Sequence, residues 1–195
     1  MKNRLIVFEG IDGTGKSTIS RKINKELLKL GISSICFEDL EVKNEGFNII
    51  KSFIVKKTSI DASLFFYVAS AIHKSQKIEL LLKDNWVVCD RYVYSTLAYH
   101  KARGANLNLI PSLEKLSIIL PDFYFLLKVD EGIRIKRLEL KKETEPLDFY
   151  PKTPGSFFDQ IEQCFLEYNP IVLDNSDPKI DKIIEKIIDI INKKD

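Results

Sequence analysis

The segment Leu5-Ile6-Val7-Phe8-Glu9-Gly10-Ile11-Asp12-Gly13-Thr14-Gly15-Lys16-Ser17-Thr18 limits the possible folds of this chain more than any other. An apolar, β-branched run stops at glycine, and three of the chain's eight glycines fall within six positions. Such a run, 4–9, reads as a buried strand. Residues 17–30 then carry Ile19, Ile23, Leu27 and Leu30 at helical spacing, with Gly31 as a stop signal. Between strand and helix, Gly10 to Ser17 fits the pattern G-x-x-x-x-G-K-S/T. Its glycines admit positive φ and close approach, so successive N–H groups can turn inward onto phosphate oxygens. The helix start adds its positive end. Lys16 can reach the outer phosphates, and the Ser17 hydroxyl can ligate Mg²⁺. The pattern points to a nucleoside triphosphate site and leaves open what is done with the nucleotide.

The rest of the chain repeats the alternation. Further strands are expected at 33–37, 86–89, 122–129 and 170–173, and helices at 61–82, 131–142, 157–168 and 180–192. The helix at 61–82 sets Leu64, Val68, Ala71, Ile78 and Leu82 on one stripe, and the last helix sets Ile183, Ile184, Ile187, Ile188 and Ile191 on another. Strands alternating with helices imply a parallel sheet covered on both faces. The expected architecture is a three-layer α/β P-loop NTPase fold with five parallel strands, in one domain over 1–195 with a short lid segment at about 131–155. The least regular stretches are 38–57, 101–109 and 142–156. Long connections at the carboxyl ends of such strands are where ligands bind.

Bulk properties remove several classes. A net charge of +2 from 30 basic and 28 acidic side chains gives no reason to expect a nucleic-acid polymer as partner. No apolar stretch is long enough to span a bilayer, and the N-terminal run is too short for a signal peptide. Cys36, Cys89 and Cys164 are scattered among apolar neighbours without metal-ligand spacing, which suits buried thiols in a reducing cytoplasm. Asn192-Lys193-Lys194-Asp195 spells the guanine-reading NKxD of GTPases, but no strand precedes it; a solvated tail is the expected role.

The third strand ends Cys89-Asp90-Arg91-Tyr92 and continues VYSTLAYHKARGANL. An aspartate at a strand end beside the phosphate loop can hold Mg²⁺. Arg91 offers a planar fork for a phosphate on an acceptor.

At these residues the chain resembles the thymidylate kinase family. FEGIDGTGKST is similar to that family's phosphate loop, and DRYVYSTLAYH to its DRY-x-x-S-x-x-A-Y-Q segment. Pro121-Asp122, Val129-Asp130-Glu131 with Arg134 and Arg137, the helix with Phe158, Phe165 and Tyr168, and the closing IVLDNSDPKIDKIIEKI extend the likeness over most of the chain. The resemblance implies ATP- and Mg²⁺-dependent phosphoryl transfer to a deoxynucleoside monophosphate, most simply dTMP to dTDP, in a homodimer. It implies an ATP site at Gly10, Ile11, Asp12, Gly13, Thr14, Gly15, Lys16, Ser17 and Thr18, and metal ligation by Ser17 and Asp90. It sets Arg91 on the acceptor phosphate, Asp12 on the 3′-hydroxyl and Tyr99 near the sugar, with Phe66, Ser95 and His100 completing the acceptor side.

An acceptor that is already a phosphate needs no strong general base, so catalysis must come from positioning and charge neutralisation. Residues 11–14 contain no arginine, and Arg134 and Arg137, three apart on one helix face, are the candidate lid cations. With Lys16 and Arg91 they form the expected catalytic set.

The chain departs from the family pattern on the acceptor side. Arg-Glu-Pro after the second strand is replaced by Phe37-Glu38-Asp39, an arginine before the third strand by Ser70, and the glutamine after the tyrosine by His100. Two alternatives follow. Deoxynucleoside kinases share the fold, and Glu38 or Asp39 could serve as base for a sugar hydroxyl. A non-catalytic nucleotide-binding relative acting through protein contacts is the other.

Overall fold

A computed structural model of the chain describes residues 2–37, 45–140 and 156–193. Five strands, β1 (Leu5–Glu9), β2 (Ser34–Phe37), β3 (Trp86–Asp90), β4 (Phe123–Lys128) and β5 (Ile171–Asp174), pair in parallel in the order β2-β3-β1-β4-β5. The register sets Leu5 against Val87 and Ile6 against Phe123. Successive residues of a strand face opposite sides, and both sides of this sheet are apolar. Ile6, Phe8, Val88, Phe125 and Leu127 face α1 (Lys16–Lys29) and α7 (Ile180–Asn192), which bury Ile19, Ile23, Leu27, Ile183 and Ile187 there. Leu5, Val7, Val87, Cys89 and Leu126 face α3 (Ile60–Leu81), α4 (Val93–Ala102) and α6 (Ser156–Leu166), which contribute Ile78, Leu97, Ile161 and Phe165. Each fully buried residue of this kind contributes about 1.5–3 kcal/mol of transfer free energy.

The layering fixes the site. β1 leads into α1 on one face, while its neighbour β3 leads into α4 on the other. Connections that leave adjacent strands in opposite directions open a crevice between the carboxyl ends, where α/β sheets bind ligands.

Two elements differ from the sequence expectation. Residues 45–57, read as irregular, form α2 (Glu45–Lys57). Its β-branched residues lower helix propensity, and packing against α3 supports it instead. Residues 93–102 form α4, whose N-cap Tyr92 makes no side-chain cap. Within 101–109, read as irregular, the first two residues end α4, a turn follows at 103–104, and Leu107–Leu109 is a short 3₁₀ helix. Of the expected lid, α5 (Glu131–Leu140) is helical; 141–155 lies outside the described residues, as do Glu38 and Asp39.

Candidate active site

The loop from Gly10 to Gly15 lies at the carboxyl end of β1. Gly15 caps α1 at φ 93° and supplies no side-chain acceptor, so the first N–H groups of α1 remain available to an anion. A Cβ at Gly15 would lie 2.6 Å from Asn175 Nδ2. That amide donates to the Thr14 carbonyl at 2.8 Å, and the Asn175 N–H donates to the Lys128 carbonyl at 2.8 Å. The segment after β5 is thereby tied to the loop. Thr14 Oγ1 and the Lys16 ammonium both donate to the Ile11 carbonyl, each at 2.9 Å. Lys16 is buried, and burial, followed by the charge of Arg91, lowers its pKa to about 7. Negative charge from a polyphosphate would favour the ammonium again. Ser17 is half-buried and Thr18 exposed at the start of α1.

Across the crevice stands Arg91, at φ 64° in the left-handed region. Its guanidinium pairs with Asp12 of the loop, donates to Ser95 Oγ at 3.0 Å and lies 5.6 Å from the Tyr99 ring centroid. Four of the residues assigned to the acceptor therefore meet. Phe66 sits half-buried on α3, edge-on to Tyr67 at 5.4 Å. Asp90 closes β3, and its Oδ1 is buried without a hydrogen-bond partner among the described residues.

Both lid arginines turn toward the loop. Arg134 is buried, holds Glu131 with two 2.6 Å hydrogen bonds, stacks 4.4 Å from the Phe158 centroid and donates to the Asp12 carbonyl at 3.3 Å. A Cβ at Gly13 would meet Arg134 Cγ at 2.8 Å, which shows how closely α5 covers the loop. Arg137 donates to the Asn175 carbonyl at 2.9 Å, and its other terminal nitrogen, Nη1, is buried without a partner among the described residues. Spacing along α5 brings both cations to one side of the loop, Arg134 onto the Asp12 carbonyl and Arg137 onto Asn175 beside it.

His100 differs from its expected place. It is buried between α4 and α3, with Nδ1 against the Thr96 carbonyl at 2.7 Å and Nε2 against Ser63 Oγ at 3.1 Å. The pairing with a carbonyl makes Nδ1 the protonated nitrogen, and Nε2 accepts from the serine. Burial lowers its pKa. Both ring nitrogens are used inside the fold, which removes the base contact expected of this residue.

Two residues were missed. Glu9, fully buried at the end of β1, accepts from the N–H groups of Tyr92 at 2.8 Å and Ser95 at 3.0 Å and from the Ser95 hydroxyl. It caps α4 from another strand and, through Ser95, braces Arg91. Burial holds its carboxyl above the ordinary glutamate range, against the charge of Arg91 and these hydrogen bonds. A glutamate closing a wholly apolar strand was the available signal, because such a group is buried only when paired. Asn175 carried no signal, since its partners come from distant segments.

Comparison with known proteins extends the reading to the whole chain. The family model described as thymidylate kinase matches residues 8–187. A probable thymidylate kinase of Methanocaldococcus jannaschii is 34% identical over 189 residues, covering 95% of this chain and 94% of that protein. A thymidylate kinase of Orientia tsutsugamushi is 29% identical, covering 98% and 94%. The fold is similar to the solved thymidylate kinases of Candida albicans, with a TM-score of 0.68 at 22% identity over 99% of this chain and 92% of that one, and Ehrlichia chaffeensis, with 0.65 at 22% over 98% and 100%.

Proposed function

The chain belongs to the thymidylate kinase family, which transfers a phosphoryl group from ATP to dTMP to give dTDP, and on that premise we propose how its residues divide the work. Gly13, Gly15, Lys16, Ser17 and Thr18 hold the ATP phosphates. Arg91 holds the acceptor phosphate, Asp12 takes its 3′-hydroxyl, and Tyr99, Ser95 and Phe66 border the deoxynucleoside. Arg134 and Arg137 neutralise charge on the transferred group. The acceptor oxygen arrives ionised, so alignment of two phosphates and neutralisation of their repulsion carry the reaction.

The observation that carries this reading is the pairing of Arg91 with Asp12. It brings an arginine fork to the edge of the phosphate loop, where a second phosphate must lie for direct transfer. Ser17 and Asp90 fit Mg²⁺: one offers a hydroxyl at the helix start, the other a buried carboxylate oxygen without a hydrogen-bond partner among the described residues. When bound, the ion would neutralise phosphate charge.

A homodimer is part of the proposal. Ile49, Ile50 and Phe53 are exposed on α2, with Phe65 and Leu80 on the adjoining α3, and a second copy would cover such residues. Light scattering should return twice the chain mass. A cytoplasmic location is part of the same proposal, and the free thiols of Cys36, Cys89 and Cys164 suit its reducing conditions. No helix among the described residues is long and apolar enough to cross a membrane.

The test of the assignment is Arg91→Ala. Loss of a charged hydrogen-bonding fork should raise the KM for dTMP about 10–100-fold with little change in the KM for ATP. An unchanged KM for dTMP would remove Arg91 from the acceptor site.

A further inference from the structure

Lys74 is assigned no part in the reaction, yet it is a lysine only 7% exposed in the middle of α3. Burying an ammonium is unfavourable unless its donors are matched. Its Nζ donates to the Arg91 carbonyl at 2.6 Å and lies 5.5 Å from the Phe37 ring centroid.

That carbonyl belongs to a backbone in an uncommon state. Arg91 is at φ 64°, a region that residues with side chains occupy only where the surroundings hold them. Its N–H donates to the Phe8 carbonyl at 3.0 Å, which fixes the incoming side of the residue to β1. On the outgoing side the carbonyl receives the Lys74 ammonium and, at 3.1 Å, the Cys89 thiol. A thiol is a weak donor, so the ammonium is the stronger restraint. The backbone turn and the side chain are held from different quarters: Lys74 and Phe8 hold the former, Asp12 and Ser95 the latter.

We propose that Lys74 is a positioning residue for Arg91, its ammonium keeping the left-handed turn that directs the guanidinium into the crevice. The proposal rests on the reading of Arg91 as the acceptor-phosphate clamp. Lys74 itself does not touch the nucleotide. A relaxed turn at residue 91 would move the direction of the Arg91 side chain and leave the phosphate loop where it is. The effect should therefore fall on the acceptor and spare ATP.

Steady-state kinetics with dTMP and ATP varied separately tests this. Lys74→Met removes the ammonium at similar length and should raise the KM for dTMP about tenfold, as expected for one lost charge-assisted hydrogen bond, with the KM for ATP within about twofold. Lys74→Arg keeps a cationic donor and should recover most of the affinity. In an Arg91→Ala background, Lys74→Met should add little to the KM for dTMP, because the group it positions is gone. Should Lys74→Met fail to fold, Lys74→Leu, which likewise carries no donor, has the same expectation. If Arg91→Ala raises the KM for dTMP and neither Lys74 variant does, Lys74 only packs and the proposal is overturned. Equal rises in both KM values would also overturn it. If Arg91→Ala leaves that KM unchanged, the clamp reading fails and the proposal fails with it.

Discussion

Replacing Gly15 by alanine isolates a contact on which the phosphate loop depends. Gly15 and Gly31 have similar positive φ, 93° and 78°, but a Cβ at Gly31 meets nothing within 4 Å, whereas one at Gly15 lies 2.6 Å from Asn175 Nδ2. Both substitutions incur about 1–2 kcal/mol of left-handed strain, reduced by about 0.4–1 kcal/mol from a stiffer unfolded chain. Gly31→Ala should then cost about 1 kcal/mol. Gly15→Ala must also displace Asn175, breaking its hydrogen bond to Thr14 and leaving a buried carbonyl unpaired, for about 1–3 kcal/mol more. Crowding adds about 1 kcal/mol or more, giving about 4 kcal/mol in all. For a chain of this size each kcal/mol moves Tm by about 3 °C. Calorimetry should show a loss of about 3 °C for Gly31→Ala and about 12 °C for Gly15→Ala. In an Asn175→Ala background the Gly15→Ala cost should fall toward that of Gly31→Ala, a coupling of about 2–3 kcal/mol. Equal shifts for the two glycines, or strict additivity with Asn175→Ala, would refute the reasoning.

Three shorter predictions concern Asn175, His100 and Arg134. Asn175→Ala alone should raise the KM for ATP about fivefold, the cost of about one neutral hydrogen bond, without moving the KM for dTMP. His100 has a folded pKa below its unfolded value, so the unfolded chain binds more protons as pH falls through about 6.5. Stability should therefore decline on acidification by up to about 1.4 kcal/mol per pH unit; urea denaturation between about pH 7.5 and 5.5 should show His100→Gln lacking that share of the slope, and parallel profiles would contradict it. Arg134→Lys keeps the charge but loses the fork on Glu131 and the planar face on Phe158, and should lower kcat about tenfold; full turnover in both Arg134→Ala and Arg137→Ala would remove α5 from the chemistry.

What could be read from the sequence was whatever is local. Ile180 to Asn192 advertises its helix through a strict apolar stripe, and α7 has those bounds. The strand, glycine loop and helix at residues 5–29 are equally local, because each piece carries its own periodicity or stop signal. α4 was not legible, since its first turn reads Val-Tyr-Ser-Thr and its cap is Glu9, 83 residues earlier. The candidate site divides the same way. Lys16, Arg91 and the two lid arginines stand in recognisable patterns. Asn175 and Lys74 act through backbone carbonyls of distant segments, and no spacing encodes such a contact. His100 occupied a position where alignment suggested a base contact, but Ser63 and the Thr96 carbonyl already use both of its ring nitrogens.

The central claim, transfer from ATP to dTMP across the Arg91 crevice, is tested most directly by following ADP formation with ATP–Mg²⁺ and matched acceptors: dTMP, other nucleoside monophosphates and deoxythymidine. ADP should form with dTMP in preference to the other acceptors, and Lys16→Ala should abolish it. ADP formation with deoxythymidine but not with dTMP would contradict the account.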